Sequence, residues 1–136
     1  MKYVTEFEIP DNLQKAVKNK TANTEKITYI NVPMAFDIET TSTEADGEKF
    51  AFMYEWTFGI KSPDHICYGR TWEEFLTLCK VLIEKLDLHL NKRLIVYVHN
   101  LSYEFQFMRK LFQWETVFAV DERKPLKAVT INGIEF

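Results

Sequence analysis

The stretch LIVYVHNLSYE, residues 94–104, indicates the class of fold more clearly than any other part of the chain. Its first five residues form a continuous apolar run, of the kind found in strands buried on both faces of a sheet. His99-Asn100 ends the run, and Asn100 or Ser102 can cap a helix that starts there. Because a strand is followed directly by a helix, the sequence predicts an α/β domain.

The residues upstream predict antiparallel strands. A β-type pattern runs over 26–38 with an interruption at Pro33. Alternating large apolar residues then predict a strand over 50–60 that places all of its aromatic side chains on one face. A turn at 61–64 and a short strand over 65–69 complete an antiparallel meander of three strands.

The remaining elements follow from capping and turn signals. Thr71 to Glu74 match a capping box, and the helix that they start is expected to extend to about His89. Strands are predicted over 114–120 and 126–131, around the turn at 121–125. Asn132-Gly133 is a strong hairpin signal followed by only three residues, so we expect the natural chain to continue.

The predicted architecture is therefore an α/β domain with a mixed sheet, in which the antiparallel meander and a parallel strand are flanked by helices. It covers 26–136, and 1–25 are expected to form a loosely attached polar arm. With 136 residues, there is room for one domain. Cys67 and Cys79 lack the spacing of a zinc site. No apolar run is long enough to span a bilayer, so we expect no membrane contact and a cytoplasmic protein.

Three acidic residues are candidates for metal binding. Asp37 and Glu39 are two residues apart on a predicted strand, so their carboxylates point to the same side, roughly 6.6 Å apart along the chain. Two like charges so placed repel each other unless a hard cation lies between them. Glu104 falls in the first turn of the helix after the buried strand, where open α/β sheets place functional groups. The net charge of −3 argues against nucleic-acid binding by bulk charge alone, but bound cations reverse the local sign.

The order of these motifs resembles that of the ribonuclease H-like 3′–5′ exonucleases. Their first motif is Asp-x-Glu, as in Asp37 and Glu39, and their second is Asn, a short spacer, an aromatic residue and Asp. Asn100, Tyr103 and Glu104 match the second motif, with Glu in place of Asp. The third motif, Tyr-x3-Asp, does not occur in the sequence. The forms FDIETT and YVHNLSY are similar to those of protein-primed family B DNA polymerases of phages and linear plasmids.

The resemblance implies a function and a set of roles. The chain would be the N-terminal part of a DNA polymerase, carrying a proofreading exonuclease domain that is incomplete without the third motif and hence inactive alone. Two Mg²⁺ or Mn²⁺ ions would be held by three carboxylates, and the single-stranded primer 3′ end would be contacted by four further residues: Asp37, Glu39 and Glu104 for the metal ions, and Thr40, His99, Asn100 and Tyr103 for the DNA. A terminal protein primer would be a partner of the parent polymerase in the cytoplasm of a bacterial host.

Two alternatives remain open from the sequence. The first is a non-catalytic ribonuclease H-like module that binds nucleic acid or a replication partner, with the carboxylates as remnants. The second is another ribonuclease H-like nuclease, such as a resolvase or a stand-alone RNA exonuclease. We also expect an exposed edge after Gly133 at which a second copy of the chain could pair.

Overall fold

The computed structural model describes residues 1–11, 13, 17–22, 25–60, 65–119 and 125–136. The turn predicted at 61–64, and most of the one predicted at 121–125, lie outside these residues. The described part contains a sheet and two α-helices, with a 3-10 turn at Val4–Glu6. The strands are β1 Lys2–Tyr3, β2 Val17–Ala22, β3 Glu25–Ala45, β4 Glu48–Ile60, β5 Ile66–Gly69, β6 Lys92–Val98, β7 Trp114–Ala119, β8 Pro125–Thr130 and β9 Ile134–Glu135; the helices are α1 Trp72–Leu86 and α2 Leu101–Met108.

The fold is α/β with a mixed sheet, in which the strands follow one another in the order β1-β5-β4-β3-β6-β9-β8-β7 and β2 also pairs with β3. The predicted meander is confirmed, because β3, β4 and β5 pair antiparallel. The predicted parallel strand is also present, since β6 lies beside β3 in parallel orientation. The long strand β3 therefore lies in the middle of the sheet, with the antiparallel strand β4 on one side and the parallel strand β6 on the other.

Helix α1 packs on one face of this sheet and begins with the predicted capping box. The side chain of Thr71 accepts a hydrogen bond from the Glu74 backbone N–H, and the Glu74 carboxylate accepts one from the Thr71 N–H. The buried side of α1 carries Phe75, which stacks on Phe36 of β3 with ring centroids 4.3 Å apart. The helix ends before His89, because Asp87 adopts a left-handed conformation with φ of 53°.

Strand β4 departs from the predicted alternation because it contains a β-bulge. Glu39 pairs with Glu55, but its neighbour Thr40 pairs with Met53, which leaves Tyr54 as an extra residue on β4. Trp56, Phe58 and Ile60, which follow the bulge along β4, are buried, as predicted. On the other side of the bulge, towards the hairpin turn, Met53 is buried instead, while Phe50 and Phe52 are 49% and 45% exposed. A single aromatic face for the whole strand is therefore wrong.

Strand β6 is buried on one face and open on the other. Leu94 and Val96 are fully buried, whereas Tyr97 is 63% exposed. The prediction of burial on both faces is wrong for this strand, because Ile95 is only partly buried and Tyr97 is exposed on the face opposite Leu94 and Val96. An apolar run alone does not distinguish these two cases, since a tyrosine is compatible with either environment.

The two ends of the chain are joined to the sheet more closely than the sequence indicates. Near the start, β1 pairs with β5, β2 pairs with β3, and Leu13 is buried in the core. The described residues of this part therefore contact the sheet or the core. After Gly133, β9 lies between β6 and β8 and pairs with both, so the exposed edge expected there is not formed.

Candidate functional site

The site is built where β6 stops and β3 continues. The parallel ladder between the two strands ends at Phe36 and Val98. The backbone N–H of Ile38, two residues past the end of the ladder, donates a hydrogen bond of 3.2 Å to Oε1 of Glu104, in the first turn of α2. The carboxyl of Glu104 therefore takes the position that a strand carbonyl would occupy if β6 were longer. This contact holds Glu104 against β3, where its side chain is only 3% exposed.

Asp37 and Glu39 lie on either side of this contact. Both are exposed, while Ile38 between them is buried, as the alternation of a strand requires. The carboxyl of Asp37 is within hydrogen-bonding reach of Glu104, and the charge of Glu39 also acts on it. The structure thus brings together the three carboxyl groups that the sequence indicated, although Glu39 and Glu104 are 65 positions apart in the sequence.

Burial and the neighbouring acids change the protonation of Glu104. Desolvation, the hydrogen bond with Asp37 and the negative charges of Asp37 and Glu39 together raise the pKa of Glu104 to about 8, and burial is the largest of these causes. The hydrogen bond from the Ile38 N–H acts in the opposite direction, because it stabilises the carboxylate. At neutral pH and without a bound cation, Glu104 therefore carries a proton in most molecules.

The second carboxyl oxygen of Glu104, Oε2, is buried without a hydrogen-bond donor among the described residues. A buried carboxylate oxygen without a donor is costly unless it is protonated or binds a cation. Carboxylate oxygens are the ligands that Mg²⁺ and Mn²⁺ prefer, so the chemistry of this set fits a hard divalent ion.

The carboxyl groups are not, however, arranged as a finished metal cage. Within the described ranges, no three His, Cys, Asp or Glu side chains are grouped so that they could hold an ion as they stand. Binding would require Glu104 to give up its proton and the carboxyl groups to turn towards the ion.

The pairing of β3 with β4 brings a fourth acid to the same place. Glu55 lies directly opposite Glu39 across the antiparallel ladder, and Thr57 lies opposite Asp37. Like charges in this relation destabilise a sheet. No pattern in the sequence indicates that Glu55 lies opposite Glu39, because this pairing depends on the register that the bulge at Tyr54 sets.

Thr40 and Tyr103 are joined directly. Their hydroxyl groups are 2.7 Å apart, which links the residue after Glu39 on β3 to the residue before Glu104 on α2. The Tyr103 ring is 38% exposed and meets the ring of Phe107 edge-on, with centroids 5.4 Å apart. Sequence analysis named Thr40 and Tyr103 separately and missed this bond, which no spacing in the sequence indicates.

Asn100 and His99 occupy the turn between β6 and α2. Asn100 is the N-cap of α2, since its Oδ1 accepts hydrogen bonds from the Tyr103 N–H at 3.4 Å and the Ser102 hydroxyl at 3.0 Å. Of the two caps that the sequence allowed, Asn100 is therefore the one used. His99 is exposed immediately before it. Both residues lie at the same end of the sheet as the carboxyl groups.

Comparison with known proteins adds nothing to this geometry. No protein-family model, curated protein or solved structure matches the chain. Neither α1 nor α2, nor any other helix in the part of the chain that the structure describes, is long and apolar enough to cross a membrane. The function has to be argued from the site.

Proposed function

We propose that Asp37, Glu39 and Glu104 are part of a two-metal site that hydrolyses phosphodiester bonds at the 3′ end of single-stranded DNA. The observation that supports this most directly is the buried Glu104 carboxyl, with its unpartnered Oε2, held beside Asp37 and Glu39 at the point where β6 ends. Structural ion pairs do not explain this cluster, because no lysine or arginine of the described residues forms a salt bridge with any of the three acids.

The roles of the other residues follow from their positions. Bound Mg²⁺ or Mn²⁺ would supply a Lewis acid and an activated water at neutral pH. Thr40, Tyr103, Asn100 and His99 lie around the carboxyl groups with polar or aromatic atoms exposed, and they would hold the end of the strand. An exposed aromatic ring such as that of Tyr103 suits a base without regard to its identity.

The wider assignment is also a proposal. The mixed α/β sheet is compatible with a ribonuclease H-like fold. On that basis, the motifs described above favour the proofreading domain of a protein-primed family B DNA polymerase from a phage or mobile element, working in the cytoplasm of a bacterial cell. A terminal protein primer would then be a partner of the polymerase as a whole.

A non-catalytic ribonuclease H-like module is the second candidate. It is favoured by one observation, namely that Glu104 already has a structural role as the acceptor for the Ile38 N–H. In that case the three acids would be remnants, and the chain would bind nucleic acid or a replication partner without cleaving it.

Thermal unfolding with and without Mn²⁺ separates the two candidates. A metal ion that binds the folded chain but not the unfolded chain raises the unfolding temperature, and the stabilisation grows with the logarithm of the ion concentration above its Kd. We expect Mn²⁺ to stabilise the wild type above pH 8, and Asp37→Asn with Glu39→Gln to abolish the effect. Glu84→Gln, which removes an exposed acid on α1, is the matched control and should keep it. An unfolding temperature that is unaffected by Mn²⁺ in the wild type would favour the non-catalytic module.

A further inference from the structure

The hairpin formed by the far ends of β3 and β4 carries an exposed aromatic face. Residues 40–45 and 48–53 pair with each other around a tight turn at Asp46 and Gly47, whose φ angles of 54° and 80° are those of a two-residue hairpin turn. Every residue from 41 to 52 is exposed. Phe50 and Phe52 have no partner of the described chain that covers them, and an exposed pair of phenylalanines on a ribbon is unusual for a soluble domain.

The bulge at Tyr54 determines which side these rings occupy. Phe52 pairs with Thr41 and Phe50 pairs with Thr43. Thr41 and Thr43 continue the alternation of Asp37 and Glu39 along β3, so all four side chains point to the same face of the sheet. Directly paired residues share a face, and Phe50 and Phe52 therefore also lie on the face of the carboxyl groups. Without the extra residue, the two rings would be on the side of the core.

Between the pair Glu39–Glu55 and Glu48, the surface that carries Phe50 and Phe52 has no charged side chain. Glu44 and Lys49 pair with each other on the opposite face of the hairpin. Between Glu39 and the tip, the surface that carries Phe50 and Phe52 has only threonine neighbours on β3, and Glu48 is the first acid, next to the turn. The surface is therefore neutral and aromatic, with hydroxyl groups beside the rings.

We propose that Phe50 and Phe52 form a stacking platform for the bases of single-stranded DNA whose 3′ end lies at Asp37, Glu39 and Glu104. The inference rests on the proposed function, and it adds a subsite further along the strand. Aromatic rings on a neutral surface stack on any base, whereas a partner protein with a basic surface would need acids here, which the surface lacks up to Glu48. The absence of lysine and arginine gives the subsite a distinctive property. Its contribution to binding should be nearly independent of salt, because it neutralises no phosphate.

The test is the affinity of the full chain for a short, 5′-labelled single-stranded oligonucleotide with a cleavage-resistant 3′ end, measured by fluorescence anisotropy with Mn²⁺. Each stacked base contributes a factor of about five or more, so Phe50→Ala with Phe52→Ala should weaken binding about 25-fold. This factor should be the same at low and high salt. Phe50→Trp with Phe52→Trp should restore the affinity, because stacking is kept while the phenylalanines are lost.

The control variant is Val117→Ala with Phe118→Ala. These residues are 43% and 57% exposed on β7, the last strand in the sheet order, and their removal should leave DNA affinity unchanged. An equal loss in both double variants would overturn the proposal, as would wild-type affinity in the Phe50 and Phe52 variant. A change in oligomeric state with unaltered DNA affinity would show instead that the rings bind a second copy.

The same samples keep this inference separate from the proposed function. If Mn²⁺ stabilises the wild type but Phe50→Ala with Phe52→Ala binds the oligonucleotide normally, the platform is wrong and the metal site stands. If Mn²⁺ has no effect and the wild type does not bind the oligonucleotide, both proposals fail.

Discussion

Glu104 is the residue on which most of the site depends. It closes the gap left by β6, it faces two other acids, and its buried oxygen has no donor among the described residues. Its position in the first turn of a helix was predictable from the sequence, because the residues around Asn100 give a clear capping signal. Its protonation was not, since that depends on burial by residues far away in the chain and on the acids of β3.

The pH dependence of stability is one consequence. The pKa of Glu104 is raised from 4.5 to about 8 in the folded chain, so between these values the folded state holds a proton that the unfolded state releases. The associated stability is complete below about pH 4.5 and is lost as the pH rises through 8. We expect the unfolding free energy of the wild type in EDTA to fall, relative to Glu104→Gln, by on the order of a few kcal/mol between pH 5 and 9. Urea unfolding at several pH values measures this, and parallel curves would contradict the assignment.

The bond between Thr40 and Tyr103 gives a second prediction at this scale. Because the bond is exposed, it should contribute at the lower end of the usual range, about 0.5–1 kcal/mol. A double-mutant cycle with Thr40→Val and Tyr103→Phe measures this coupling directly. Additive effects of the two substitutions on unfolding free energy would show that the hydroxyl groups do not interact in solution.

At the scale of secondary structure, the sequence predicted the kinds of element well and their exposure less well. The capping box of α1 and the three-strand meander are set by local signals and were found as expected. The bulge at Tyr54 was missed because an alternating row of large residues continues through it without interruption. The large residues alternate in the same way on both sides of the bulge, but Trp56, Phe58 and Ile60 face the core, whereas Phe50 and Phe52 face the solvent.

The two glycines with positive φ test how far local geometry accounts for the turns. Gly133 has φ of 94°, and a Cβ atom there would meet the backbone oxygen of His89. Gly47 has φ of 80°, with nothing within 4 Å of such an atom. We expect Gly47→Ala to cost about 1–2 kcal/mol from the backbone alone, and Gly133→Ala to cost clearly more, because the backbone of His89 must also move. Equal losses of unfolding free energy would show that the contact with His89 relaxes freely.

At the scale of the whole molecule, topology decides what the site contains. The pairing of β3 with β6 brings Asp37 next to Glu104, and no pattern within either segment specifies that pairing. The candidate residues could therefore be listed from the sequence, together with the order of their motifs. The acid opposite Glu39 and the hydroxyl pair at Thr40 could not, because each depends on the register between strands or elements that are distant in the chain.

The set of acids in this chain also limits the activity that we propose. No tyrosine of the sequence has an aspartate four residues further on, so the third motif of the proposed family is not present. Mg²⁺ gives up its water ligands reluctantly, and the present acids would hold a water-activating ion weakly. We expect the chain to degrade a single-stranded oligonucleotide slowly or not at all with Mn²⁺, and a chain extended through such a motif to do so readily. Comparable 3′–5′ degradation by both would show that the described acids are sufficient.

The ladder between β3 and β6 also has a consequence for how the molecule acquires its structure. Phe36 and Val98 are partners across 62 intervening steps of chain, and parallel pairing at such separation is slow because a large loop must close first. Glu104 reaches the Ile38 N–H only after this pairing is in place. In stopped-flow refolding, we expect tryptophan burial at Trp56, which needs only the meander and α1, to precede the step at which Glu104 takes up its proton. A pH-sensitive dye reports that uptake at pH 7, and Glu104→Gln should remove the later signal while leaving the earlier one unchanged.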